Sequence, residues 1–98
     1  MALSPLHPGE VLLKEFMRPL GLTAYALASR CGIYRARLER IVRGKAAVNA
    51  DTALRLAKFF GTKPEFWMNL QARYELETAA SKIGNELAAI KTRKRVAA

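Results

Sequence analysis

The sequence predicts an all-α fold of five short helices. Three observations predict it. Apolar residues recur at helical spacing in successive stretches, and no stretch alternates as a strand does. Most stretches open on a capping residue type and stop at a glycine. Leu, Ala, Arg and Glu dominate the 98 residues, 51% are hydrophobic, and Gly and Pro together take only ten positions. That composition suits a folded chain with one modest core.

The first helix opens near Pro8 in "HPGEVLLKEFMRPLG". Proline suits a first helical position because its missing N–H is not needed there. Val11, Leu12, Glu15 and Phe16 separate apolar from polar faces, and Pro19 and Gly21 end the helix. His7 is expected to cap or pack at the chain start. The second helix is "TAYALASRCG". The Thr23 hydroxyl can accept a free backbone N–H. Ala24, Leu27, Ala28 and Cys31 share one face, and Gly32 is the stop.

The third helix is expected over residues 34–43, with Leu38, Ile41 and Val42 inward and Gly44 as its stop. The fourth is "NADTALRLAKFFG". Asn49 is its expected cap, Leu54, Leu56, Ala57 and Phe60 its buried face, and Gly61 its end. The fifth opens at "TKPEFWMNLQ", where Thr62 and Glu65 have capping-box spacing. Phe66, Trp67 and Leu70 read as core, with Trp67 an anchor between helices four and five or part of a dimer contact. Asn69 and Gln71 read as solvated or capping. The fifth helix ends near Ser81 or continues past a weak point at Gly84. Leu76, Ala80, Ile83, Leu87 and Ile90 form one apolar stripe suited to a second subunit. The last eight residues, basic and then small, are expected to fray. Residues 1–80 are therefore expected to form the main domain, and residues 81–98 a helical extension with a basic tail.

Charge narrows the function. Seventeen Lys and Arg face eight Asp and Glu, a net charge of +9. Such an excess favours a polyanionic partner: nucleic acid, an anionic membrane surface or an acidic protein. A single cysteine, Cys31, allows no internal disulfide and points to a reducing, cytoplasmic setting. It reads as a small buried hydrophobe. The first residues lack the basic start and apolar run of a signal peptide. No apolar run approaches the ~20 residues of a membrane helix. One His and one Cys cannot supply the usual metal ligand set, so neither metal nor cofactor is expected. No nucleophile, base and acid are grouped, so an enzyme is not expected.

The second and third helices, joined by a tight turn containing Gly32, make a helix-turn-helix. Ala28 is small where the two helices cross. Leu27, Ile33, Leu38 and Ile41 form the wedge that fixes the crossing. With that wedge inward, the charges of "GIYRARLERIVRGK" point outward or sideways. The major groove admits one helix, whose N-terminal part reaches base edges. Tyr34, Arg35, Ala36 and Arg37 occupy that part and are expected to read bases. Arg40, one turn on, can reach bases or phosphates. Thr23, Ala24, Arg43 and Lys45 are placed for phosphates, which orient without specifying. A plainer reading remains: Arg35, Glu39 and Arg43 are also a charge ladder at four-residue spacing.

The segment at residues 7–76 resembles the HigA-type antitoxins, a branch of the lambda-repressor-like (Xre-type) helix-turn-helix proteins. "HPGE", the helix-turn-helix and "DTALRLAKFFGTKPEFWMNLQ", in that order, carry the resemblance. It implies a five-helix lambda-repressor-like domain and a homodimer that represses its own promoter at a palindromic double-stranded DNA operator. It also implies a HigB-type mRNA-cleaving toxin as the partner it silences. By position, Tyr34, Arg35, Ala36, Arg37 and Arg40 match the family's base-reading positions, and Arg43 and Lys45 its phosphate-contacting end. Many relatives carry small polar residues where this chain has Tyr34 and Arg37, so no operator sequence carries over. Two rivals stand beside this reading: a regulator of the same fold without a toxin, and a protein-binding module whose basic helix meets an acidic partner.

Overall fold

The computed structural model describes residues 4–94, and all of their regular structure is helical. His7 starts the chain's first turn: its Nδ1 accepts the Gly9 N–H at 2.9 Å. Pro8 follows as the first residue of helix α1 (Pro8–Val11). Gly9 is required by packing, because any Cβ there would overlap the carbonyl oxygen of Ile41. The "HPGE" stretch thus caps a helix and lets its backbone lie directly on the third. From α1 the chain runs into a π-helical segment, Leu12–Met17, closed by the Arg18 N–H on the Leu13 carbonyl at 2.9 Å. Its hydrogen bonds join residues five apart. Leu12 and Met17 are so spaced, and both are buried.

Helix α2 (Ala24–Cys31) is capped as expected, the Thr23 hydroxyl accepting from the Ala26 N–H at 3.1 Å. Gly32 ends it at φ 69°, a conformation an L-residue adopts only with strain. Helix α3 (Arg35–Val42) begins one residue later than expected: Tyr34 is its extended cap residue. Helix α4 (Ala50–Phe60) is capped by Asn49, whose side chain accepts from the Thr52 N–H at 2.9 Å. Its expected buried face is corrected at Leu54, which is 59% exposed, while Leu56 and Ala57 are buried and Phe60 half-buried.

Helix α5 (Pro64–Lys82) starts at Lys63 without a side-chain cap. The expected Thr62–Glu65 capping box is absent because the Thr62 hydroxyl serves another donor, Trp67 Nε1, at 2.9 Å. Trp67 is fully buried and packs against Phe16, Phe60 and Phe66, so it anchors the core and offers nothing to a dimer surface. Gln71, read as solvated or capping, is buried. Its Oε1 accepts the Val48 N–H at 2.8 Å and so ties the α3–α4 loop to α5. The weak point at Gly84 is real: α5 ends at Lys82, and a sixth helix, α6 (Gly84–Ala89), follows. No residue of α6 is buried. Residues 91–94 of the expected frayed tail carry no helix, and residues 95–98 lie outside the described residues.

The core lies where α1, α2, α3, α4 and the first turns of α5 meet. Leu27, Leu38 and Ile41 have no exposed surface, and Ala28 and Ile33 are also buried. These are the wedge residues, and they set the angle at which α3 leaves the body.

Candidate nucleic-acid interface

The turn between α2 and α3 is Gly32, Ile33 and Tyr34. The Ile33 N–H returns to the Ala28 carbonyl at 3.0 Å. A brace from α4 holds this turn. Arg55 Nη1 donates to the Cys31 carbonyl at 3.0 Å, and Arg55 Nε donates to Asp51 Oδ1 at 2.7 Å. A side chain on Gly32 would press on that guanidinium, with its Cβ 2.8 Å from Nη1. Sequence reasoning missed Arg55. Its only signal was an arginine four residues after an aspartate, the commonest of surface pairs. Burial pushes the Cys31 thiol up from its ordinary value, with the Arg55 charge partly opposing.

The outer side of α3 is where the expected DNA-contacting residues stand. Tyr34, at its start, is 86% exposed. Ala36, Arg40 and Arg43 are exposed and lie three to four residues apart, on the side away from Leu38 and Ile41. Arg35 and Arg37 sit on opposite flanks. Arg37 is half-buried, and its Nη2 donates to the Ala47 carbonyl at 3.0 Å. Arg40 Nη2 donates to the Lys45 carbonyl at 3.2 Å. Arg35 makes no bond to that loop. Its Nε donates to Glu39 Oε1 at 2.8 Å, and its guanidinium carbon lies 5.4 Å from the centre of the Tyr25 ring on α2.

Lys45 is exposed on the loop after α3. Thr23 and Ala24 open α2, where backbone N–H groups without helical partners attract anions. The expected residues therefore fall on one connected surface built from the start of α2, α3 and the following loop. Tyr25, exposed on α2, joins it without having been foreseen, because only its contact with Arg35 brings it there. Glu39 finds a place as the partner of Arg35 and not of Arg43.

His7 underlies the loop from below. A Cβ on Gly44 would contact its ring at 3.6 Å, and the Tyr74 ring meets it edge-on at 4.8 Å. Burial holds its pKa below the ordinary 6.5, and a hydrogen bond to the Ala46 backbone pulls weakly the other way. Among the described residues, no three His, Cys, Asp or Glu side chains converge as a metal site would need. No helix among them is long and apolar enough to cross a membrane.

Comparison with known proteins bears on this surface. The helix-turn-helix family model matches residues 13–67. Virulence-associated protein I of Dichelobacter nodosus is 43% identical over 74 residues, 76% of this chain and 68% of that one. The structure of an addiction module antidote protein of a HigA family from Coxiella burnetii is 42% identical. It superposes with a TM-score of 0.87, covering 94% of this chain and all of the other. The chain belongs to the HigA-type helix-turn-helix family. The Pseudomonas aeruginosa antitoxin HigA, solved with the higBA promoter, is 38% identical with a TM-score of 0.85, over 89% of this chain and 96% of that one. The HigA-type fold and its DNA-binding class are thus established for this chain.

Proposed function

We propose that this chain binds a palindromic operator in its own promoter as a homodimer, represses its operon, and neutralises an mRNA-cleaving toxin. The observation that carries the DNA reading is the outer face of α3, which is basic and exposed and is held at a fixed angle by the buried wedge of Leu27, Ile33, Leu38 and Ile41. Tyr34, Arg35, Ala36, Arg37 and Arg40 would meet base edges. Thr23, Ala24, Arg43 and Lys45 would meet phosphates on either side. The HigA relative solved with promoter DNA supports DNA binding as the use of this face.

The homodimer is supported by Leu76, Ile83, Leu87 and Ile90, which lie exposed along the end of α5, α6 and the residue after it. Two copies joined there would present two α3 helices to successive major grooves, about 34 Å apart. The antitoxin role is supported by the names of relatives, an antidote protein and an antitoxin.

Footprinting on the DNA upstream of the reading frame tests the first part. Two protected half-sites, one helical turn apart and related by a dyad, are expected. Co-purification with the product of an adjacent small reading frame tests the second. If no toxin is recovered while footprinting succeeds, the chain is a regulator without a toxin. If footprinting fails while the chain binds an acidic protein, the basic face is a protein-docking surface.

A further inference from the structure

Three arginines of α3 are held in different ways. Arg37 and Arg40 each commit a terminal nitrogen to a carbonyl of the α3–α4 loop, at Ala47 and Lys45. Arg35 instead commits Nε, to Glu39 at 2.8 Å. Among the described residues its two terminal nitrogens make no hydrogen bond. A guanidinium recognises guanine by two parallel N–H donors directed at O6 and N7. Held by Nε, Arg35 keeps its end-on pair available. Arg37 and Arg40 each have one N–H of Nη2 tied to the loop, so they can present the same pair only in the orientation that the loop carbonyl allows.

Helix stability accounts only poorly for the Arg35–Glu39 pair. The favourable order places the acid before the base, and the start of a helix disfavours a cation. Here Arg35 is the first residue of α3 and Glu39 comes later. Glu39 is set back, its side chain 35% exposed against 62% for Arg35, so the cation faces outward and the acid stands behind it. The second restraint comes from another helix: Tyr25 of α2 lies under the guanidinium at 5.4 Å. A carboxylate on one edge and a ring on one face leave a planar group little freedom. Ordering a side chain before binding removes that cost from the binding step.

We propose that Glu39 and Tyr25 are positioning residues that aim Arg35, and that Arg35 is the guanine reader of α3. Arg37 and Arg40, which also lie at the base edges, contribute less to guanine choice because each is tied to the loop that carries Lys45 to the phosphates. The inference rests on α3 being the recognition helix.

Fluorescence anisotropy on the full chain tests it, using the footprinted half-site and a panel in which each base pair is replaced in turn. Replacing one G·C pair is expected to weaken wild-type binding by ~10-fold or more, the scale of a lost bidentate contact. Arg35→Ala should bind that replaced duplex and the original alike. Glu39→Ala and Tyr25→Leu should cut the preference at the same base pair to about 3-fold or less. Glu39→Gln keeps an acceptor for Nε, and Tyr25→Phe keeps the ring face, so both should retain more of it. Glu39→Ala should bind a scrambled duplex at least as tightly as wild type, since a negative charge is gone. Melting curves should overlay wild type, because the side chains are at the surface. A wild type that discriminates while Glu39→Ala discriminates equally at that base pair overturns this inference alone. So does a guanine preference that disappears with Arg37→Ala and survives Arg35→Ala. A wild type that binds every duplex alike overturns the operator reading, and this inference with it.

Discussion

The two ends of the molecule treat their apolar residues in opposite ways. From Pro8 to Gln71, nearly every inward position has a partner in the same chain: Leu12 and Met17 in the π-helical segment, the wedge across α2 and α3, Trp67 beneath Phe16. From Leu76 onward the same spacing continues, yet Leu76, Ile83, Leu87 and Ile90 are 44–70% exposed. Periodicity alone says that a helix has an apolar face, not what that face meets. In the first region it meets the chain's own core. In the second, on the reading proposed above, it meets another copy.

Substitutions can break or sharpen that contrast. The largest effect is expected at Trp67→Ala, which empties the centre of the first region and frees the Thr62 hydroxyl. It should cost about 3–5 kcal/mol in urea unfolding. A loss below about 1 kcal/mol would mean the core is not centred there. Gln71→Leu comes next, because it leaves the Val48 N–H buried without an acceptor. It should cost about 1–3 kcal/mol. It should also loosen the loop after α3, seen as faster amide exchange at Val48.

His7 tests the same region through pH. Its folded pKa lies below its ordinary 6.5, so the folded state takes up a proton less readily than the unfolded state. Stability should be level above that value and fall as pH drops through 6.5 toward the lowered folded value. Protonation also removes the Nδ1 acceptor that caps α1. His7→Ala should be less stable at neutral pH and lose this part of the pH dependence. An unchanged slope in the variant would contradict it.

The smallest effect on the isolated fold is expected in the second region. Ile83→Asp with Leu87→Asp should change unfolding of the dilute chain by no more than ~0.5 kcal/mol. The same pair should abolish the dimer in sedimentation equilibrium. A dimer that survives both charges would assign the stripe some other role.

How much of this could be read from residues alone follows the same divide. The caps at Thr23 and Asn49, the stops at Gly32 and Gly61, and the wedge are local or near-local devices, and local chemistry announced them. What stayed hidden depended on distant partners. Thr62 looked like half of a capping box until Trp67, five residues on, turned its N–H toward it. Gln71 looked solvated or capping because its partner, Val48, is 23 residues away. Leu54 had the right spacing for burial, yet it lines an open groove with Arg30 and Cys31 and stays exposed. At the interface the residue types were legible and their company was not. The outward face of α3 followed from the wedge. That Arg35 rests on Tyr25, while Arg37 and Arg40 bend back to the loop, required coordinates.

Everything proposed for the basic face depends on α3 reading sequence. Competition binding at physiological salt tests it most directly, with the upstream DNA set against a scrambled duplex of equal length and composition. The upstream DNA should be preferred by at least about 10³-fold, with Arg35→Ala losing a large part of that preference. Equal affinity for the two duplexes, with a steep salt dependence in both, would contradict it.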